Sequence, residues 1–509
     1  MSEERKDDIN VKRSFKEIIK DLEFWKGIST VFGAILVSLI TGSIFSLCTL
    51  AVYQISYIKG IDPDNFITID HLSFYYPFEV IFQCLSSFLS GFIEKKLGLH
   101  LTNLIGFTIL GSGYFTMYLS RNFFIDILAM ILGGIGNGII YYPSTTNACL
   151  WFYEHNGIVI GIIETMISLG SFLFAFIGEK IININNVESR KSDDLYDLEI
   201  GERIKIYLIV QIISLVGVFI LSFFLMFIKK KEPNIRQDAN SMKPLEMTPK
   251  TSDTDGVFLV SETEDIQSDL ISKDSNKSEK SNFKKMILVA LKSKRLILYA
   301  IISVFTIQGP SMMFTLYRGI GEYNKIDTET LQLVGSIGFI FECSAGILIG
   351  ILSDYVNLKV LLLVMGLLNT SIIYTYCLTF DNSAAFFWIT NIESLVNGGI
   401  YPFNDCYLMK VFGTDIYIEL IGYVSFVSNL VVVLLSPLAY FVETKVENKN
   451  DAYWILFSIF GTLNLIAFVL SFFINTKPFD FDERIGLAKN KIQEDKLELQ
   501  EEEKKLNNI

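Results

Sequence analysis

The sequence predicts an all-α integral membrane fold of twelve transmembrane helices in two pseudo-symmetric six-helix bundles. Three observations predict it. Long apolar segments fall into two groups around one polar stretch, Lys229–Ser281. Hydrophobic residues make up 51% of the 509 and charged residues 19%, where soluble domains carry about 25% charge. Short motifs also recur at corresponding places in the two groups.

A run of about 20 apolar residues crosses a bilayer as a helix. Lipid offers backbone N–H and C=O groups no partner, so each crossing must satisfy its own. By length and apolarity the first group reads Ile28–Ile58, His71–Ile93, Leu97–Leu119, Phe123–Leu150, Gly157–Ile182 and Ile204–Ile228. The second reads Leu296–Ile320, Thr330–Leu352, Leu358–Phe380, Ala384–Met409, Ile416–Val442 and Ala452–Ile474. Lys and Arg gather in the N-terminal tail, at Lys95 and Lys96, at Lys229 to Lys231, and between Lys284 and Arg295. With an even number of crossings these all fall on one side, which the positive-inside rule makes the cytoplasm.

The expected domains follow: an N-terminal cytoplasmic tail (1–26), an N-terminal six-helix bundle (27–228), a cytoplasmic disordered loop with an amphipathic segment (229–295), a C-terminal six-helix bundle (296–475) and a cytoplasmic charged tail (476–509). The first 26 residues alternate acid and base and read as a tail, not a cleavable signal peptide. The central loop is rich in Ser, Thr, Asp and Glu without apolar periodicity, so it reads as a disordered tether. Phe283–Arg295 is basic and amphipathic and suits the anionic inner leaflet. The tail from Asp480 carries Glu and Lys at helical spacing. It reads as a solvated helix, with a cytoplasmic partner as the alternative.

Several classes are excluded. The net charge of −12 argues against a nucleic-acid partner. Six cysteines, Cys48, Cys84, Cys149, Cys343, Cys377 and Cys406, all lie in apolar segments and form no CxxC pair. They read as small core residues, not as a disulfide framework or zinc site. No HExxH, P-loop or GxSxG pattern occurs, so no enzyme chemistry, cofactor, metal or ATP-driven transport is expected.

The two groups read as copies. GFIEKKLGLH (Gly91–His100) links crossings two and three, and GILSDYVNLK (Gly350–Lys359) links eight and nine. Asn137-Gly138 with Tyr142-Pro143 in crossing four is echoed by Asn397-Gly398 with Tyr401-Pro402 in crossing ten. Duplicated six-helix halves with a midplane site between them suit alternating access.

These residues resemble the major facilitator superfamily, and within it the oxalate/formate-antiporter and monocarboxylate-transporter branch. Ser353-Asp354 stands where the family's glycine-and-aspartate loop has Ser-Asp. The stretch Gly134–Gly170 is similar to the branch's glycine-rich helix four, Trp-Phe, and glycines opening helix five. Phe412-Gly413-Thr414, Gly422 and Ser436-Pro437 resemble its helices ten and eleven, and Gly33, Gly42 and Tyr53 its helix one. The resemblance implies a secondary active transmembrane transporter of a small organic solute, monocarboxylate-like, with protons as the coupling partner of a symporter. It also implies a gating loop formed by Gly350, Asp354 and Lys359, with Gly91 and Gly98 in the first copy.

The sequence departs from the branch at its cationic anchors. Gly346 occupies the position of a base in helix eight, Cys48 that of a lysine in helix one, and no Lys or Arg occurs between Asp415 and Glu443. Glu342 stands where the branch has Asp or Asn. Restoring a base through Gly346→Arg is therefore expected to favour organic anions.

Ionisable residues inside a membrane are costly and usually face a cavity or a partner. Glu342 lies about midway along its crossing and is the first candidate for a proton pathway. Its alternative is a neutral carboxyl bonding a neighbouring helix. Glu79, with Gln83 one turn on along the same face, Glu164 and Glu393 are further pathway candidates. Tyr141, Tyr142 and Tyr401 are candidates to line the path, although aromatics also gather at interfaces. Asp405, close to Lys410, reads as a structural pair with it. Arg318 reads as an attractor of anions or a partner of Glu322, His71 as an interface residue, and Pro143 as a break in helix four.

An acid-rich, base-poor cavity suits a neutral, zwitterionic or cationic solute, such as an amino acid, better than a bare carboxylate. A non-transporting sensor on a carrier fold is the alternative from another class. The expected setting is a multi-pass protein of the plasma or an organelle membrane, both termini cytoplasmic.

Overall fold

A computed structural model describes residues 22–229 and 283–481, apart from 64–65, 186, 188–189 and 191–194. The expected tether, the first 21 residues and most of the charged tail lie outside the described residues.

Twelve helices of 19 residues or more make up the described membrane part: α1 (Leu22–Ile61), α2 (Tyr75–Leu97), α3 (Leu99–Leu119), α4 (Phe123–Trp151), α5 (Asn156–Ile182), α6 (Ile204–Leu225), α7 (Lys294–Tyr323), α8 (Thr328–Tyr355), α9 (Leu358–Tyr376), α10 (Ser383–Phe412), α11 (Tyr417–Lys445) and α12 (Lys449–Ser471). Among the described residues, ten helices are long and apolar enough to cross a membrane. Residues 283–291 form a separate helix within the basic amphipathic segment, ending in a turn before α7.

Local chemistry sets the helix ends. Asn122, Ser293, Asp327, Asn357, Asn382 and Asn448 each accept a backbone N–H of the first turn of the helix they precede, the usual N-cap role. Asp327 accepts from both the Thr330 N–H and hydroxyl, which holds its carboxyl below the usual aspartate range. Gly98 (φ 79°) and Gly413 (φ 85°) end α2 and α10 in a backbone conformation that L side chains rarely adopt.

Three expectations change. The second crossing does not begin at His71. Residues Ile69–Phe74 form a 3-10 turn in which the Thr68 N–H donates to His71 Nδ1 (3.2 Å), and α2 starts at Tyr75 with Pro77 in its first turn, where a missing N–H costs nothing. The ninth crossing gives way to a 3-10 turn at Cys377–Thr379. Pro143 does not break α4, which runs on to Trp151, as α7 and α10 run through Pro310 and Pro402. Hydroxyls of Thr145 and Thr146 bond the carbonyls of Tyr141 and Tyr142 in the turn around it.

Both halves use the same packing plan. α2 lies on α4 as α8 lies on α10, and α1 lies on α5 and α6 as α7 lies on α11 and α12. Glycines permit the approach, as small residues do where helices meet in lipid. A Cβ at Gly42 would sit 2.1 Å from the Ile167 carbonyl oxygen, and one at Gly170 2.1 Å from that of Leu39. The outer faces are apolar: on α6 Ile213 and Phe224 are 66% and 72% exposed, as suits contact with lipid.

Two crossings join the halves, α5 on α8 and α2 on α11. Helix directions alternate, so α1 begins and α12 ends at the same end of the bundle, here termed the terminal end.

Candidate functional site

The α5–α8 crossing is built from two glycine pairs four residues apart. Gly157 and Gly161 of α5 face Gly346 and Gly350 of α8. A Cβ at Gly161 would lie 2.5 Å from the Gly346 carbonyl oxygen, and one at Gly350 2.5 Å from that of Gly157. This explains the missing base in helix eight. A Cβ at Gly346 would lie 2.4 Å from Thr165 Oγ1, so the position is occupied by a helix contact and has no room for arginine. The expected gain from Gly346→Arg is therefore withdrawn. Further along, Thr165 Oγ1 donates to the Cys343 carbonyl (3.0 Å), Ser168 Oγ reaches Glu342 Oε1 (3.5 Å), and the Phe172 and Phe339 rings stack at 4.6 Å.

At the terminal end Asp354 closes this crossing. Its Oδ1 accepts from the Gly157 N–H (3.0 Å) and its Oδ2 from the Ile158 N–H (2.9 Å), the unpaired donors that open α5. A carboxylate there also meets the positive end of the helix dipole. Lys410 of α10 donates to Asp354 Oδ1 (2.8 Å) and to the Ser353 carbonyl (2.5 Å). The expected Asp405–Lys410 pair is thus replaced by Asp354–Lys410: the base lies nearer the membrane edge, where the α8 aspartate already faces it.

The other crossing uses different chemistry. A Cβ at Gly91 would strike the Glu419 carboxylate, one at Gly422 would strike the Phe88 backbone, and Lys95 donates to the Asp415 carbonyl (2.5 Å). Gly98 serves as a turn residue, and Lys359 donates to the Phe472 carbonyl at the end of α12 (2.7 Å), away from the α5–α8 contact.

Between the clamp and the middle of the molecule lies a carboxyl cluster. Tyr141 of α4 donates to Glu164 Oε1 of α5 (2.5 Å). Asp405 of α10, 2% exposed, lies within electrostatic reach of the Glu164 carboxyl, and neither its Oδ2 nor the Tyr417 hydroxyl of α11 has a protein hydrogen-bond partner. Tyr141 and Tyr142 pack edge to face at 4.8 Å, and Tyr142 meets Tyr417 at 6.2 Å. Two neighbouring carboxyls with no bonded base repel when both are ionised, and one proton on either of them relieves the repulsion. This pair spans the two halves. The Tyr401 hydroxyl lies within electrostatic reach of Glu342, Glu164 and Glu393, which places it among the candidate acids.

The remaining candidates separate. Glu393 is 2% exposed on α10, and its Oε1 has no protein partner. Glu79 is fully enclosed in the N-terminal half, where its Oε1 accepts from Asn137 Nδ2 (3.4 Å). Gln83 is half-buried, with its backbone carbonyl against Gly138. Arg318 pairs with Glu322 (3.0 Å) and is exposed. Among the described residues, no Lys or Arg side chain bonds Glu79, Glu164, Glu342, Glu393 or Asp405.

Sequence reasoning missed the nearness of Asp405 to Glu164, and also Asp126. This residue is buried at the start of α4 and accepts from Gln54 Nε2 (3.0 Å) and the Tyr75 hydroxyl (2.7 Å). Its place in an apolar run was the available signal. The six cysteines are free thiols, four of them buried.

The sequence profile of the Major Facilitator Superfamily matches residues 35–325 and 296–491. The proteins named Monocarboxylate transporter 9 of Gallus gallus and of Pongo abelii are each 25% identical over 83 residues. That match spans 16% of this chain and 16% of each relative's length. The fold is similar to that of the proton:xylose symporter XylE bound to 6-bromo-6-deoxy-D-glucose, with TM-score 0.59 and 14% identity over 91% of this chain and 98% of that one. It is also similar to the E. coli fucose:proton symporter FucP, with TM-score 0.59 and 12% identity over 87% and 98%. With twelve long helices in two matching halves and a family profile covering most of its length, this chain is a multi-pass membrane transporter, not an enzyme, and belongs to the Major Facilitator Superfamily.

Proposed function

We propose that the chain is a secondary carrier that works by alternating access and couples solute movement to protons. Its halves rock about the acid-lined centre, and a proton carried by the Glu164 and Asp405 pair is exchanged when they part. Two acids on facing elements of opposite halves carry this reading: Glu164 of α5, held by Tyr141, and buried Asp405 of α10, whose Oδ2 has no protein partner. Separating the halves parts the two acids and wets both, so opening and proton exchange become one event. The structural neighbours named as proton symporters add support from fold alone.

The solute is a small organic molecule. Three buried carboxyls, Glu79, Glu393 and Asp405, and the half-buried Glu164 and Glu342, all without a bonded base, suit a neutral, zwitterionic or cationic solute. A bare carboxylate about 4 Å from one ionised acid would meet repulsion of about 4 kcal/mol at an effective dielectric of 20. A monocarboxylate, the substrate class suggested by the relatives' name, would travel here as the neutral acid together with its proton. Termini, clamp and central loop are proposed to face the cytoplasm, from the Lys and Arg distribution.

The test is uptake into proteoliposomes across an imposed pH gradient, screening organic acids, amino acids and amines. Asp405→Asn and Glu164→Gln should each abolish gradient-driven accumulation while preserving solute exchange at equal pH. Full gradient-driven accumulation in both variants would remove the pair from the coupling.

A further inference from the structure

Apart from the contact between the halves, the N-terminal half contains an enclosed group of oxygens with too few donors. Glu79 of α2, Asn137 of α4 and Thr41 of α1 are each 0% exposed. Asn137 Nδ2 donates to the Thr41 carbonyl (3.2 Å) and more weakly to Glu79 Oε1 (3.4 Å), so one amide gathers three helices. Glu79 Oε2, Asn137 Oδ1 and Thr41 Oγ1 have no protein partner. The backbones are close here as well: a Cβ at Gly134 would lie 2.2 Å from the Glu79 carbonyl oxygen, and one at Gly133 2.6 Å from Ile44. The ionisable groups within electrostatic reach of Glu79 are Cys48, Tyr76, Cys84 and Tyr114, none of them a base.

An enclosed carboxylate needs a counter-charge. A proton supplies one and satisfies a single oxygen. A small metal cation supplies one and takes several oxygens at once, as hard cations do. The charge count selects valence, because one carboxylate balances one positive charge. We propose that Glu79, Asn137 and Thr41 form a binding site for a monovalent metal cation of sodium size, completed by the Thr41 carbonyl oxygen. The site lies within one half, so its occupancy is set by the packing of α1, α2 and α4. It goes beyond the proton-coupled reading and is tested by binding without flux, so either can fail alone.

The experiment is thermal unfolding of the purified full-length protein in detergent, titrating sodium chloride against choline chloride at constant ionic strength and pH. A ligand that binds only the folded state raises Tm saturably. Wild-type protein should gain several degrees in sodium and nothing in choline. Glu79→Gln should lose the gain, Glu342→Gln should retain it, and the isosteric Thr41→Val should shift the sodium dependence to about tenfold higher concentration, as expected for one lost oxygen contact. If Glu79→Gln does not fold, radioactive sodium binding to wild type and Thr41→Val decides. Equal curves in sodium and choline, or a sodium gain retained in Glu79→Gln, would overturn the site. A Tm that responds to pH and not to sodium would assign Glu79 to a proton and overturn it equally.

Discussion

Replacing Asp354 by Asn should open the terminal end. The wild-type carboxylate accepts three hydrogen bonds within 3.0 Å, from Gly157 N, Ile158 N and Lys410 Nζ. Hydrogen bonds to a charged group contribute about 1.5–3 kcal/mol each. Asparagine with its oxygen at the Oδ1 position still accepts from Gly157 N and Lys410 Nζ, but it turns an NH2 group against the Ile158 N–H and removes the charge that strengthens the other two. Lys410 is 25% exposed and regains water on opening, which lowers the net effect to about 3 kcal/mol. That shifts the closed-to-open ratio about 100-fold toward open. Native thiols report the change. Cys149 of α4 and Cys406 of α10, 1% and 0% exposed, lie within electrostatic reach of Asp354. Their labelling by a small maleimide, read by peptide mass spectrometry, should accelerate by about the same factor, while Cys377 at the other end stays protected. Unchanged labelling of Cys149 and Cys406 in a folded Asp354→Asn protein would refute the clamp.

Glu164→Gln and Asp405→Asn should give the same loss of gradient-driven uptake singly as together, because either one removes the shared proton; additive losses in the double variant would argue for independent roles. Gly42→Ala should lower stability by about 1–3 kcal/mol through overpacking of α1 on α5, measured by thermal unfolding. Gly161→Ala, whose Cβ would press on the α8 backbone across the halves, should instead leave Tm nearly unchanged and increase Cys149 labelling. Deleting residues 232–281 should leave uptake largely intact, and loss of flux in a correctly inserted deletion would contradict the tether reading.

The two groups of crossings, their number and the repeated Asn-Gly motifs were legible along the chain. Glu342, Glu164 and Tyr401 were legible as candidates because charge and hydroxyls in an apolar run are rare enough to stand out. The partners were not. Asp405 sits four residues after Tyr401 and five before Lys410, so linear proximity suggested the lysine, while helix rotation turned Asp405 toward Glu164 and left Lys410 to Asp354. Gly346 looked like a lost anchor until its Cβ direction put it against Thr165.

Sequence alone determined that this chain enters lipid as helices, because backbone hydrogen bonds that cannot be made to water must be made inside each apolar segment. It also indicated the twofold repeat, since Asn-Gly and Tyr-Pro pairs recur in crossings four and ten, with spacings that differ by one residue. Only the tertiary structure decided which carboxyl meets which. That choice depends on the rotation of each helix about its axis and on contacts between residues far apart in the chain, which the order of residues along one helix does not encode.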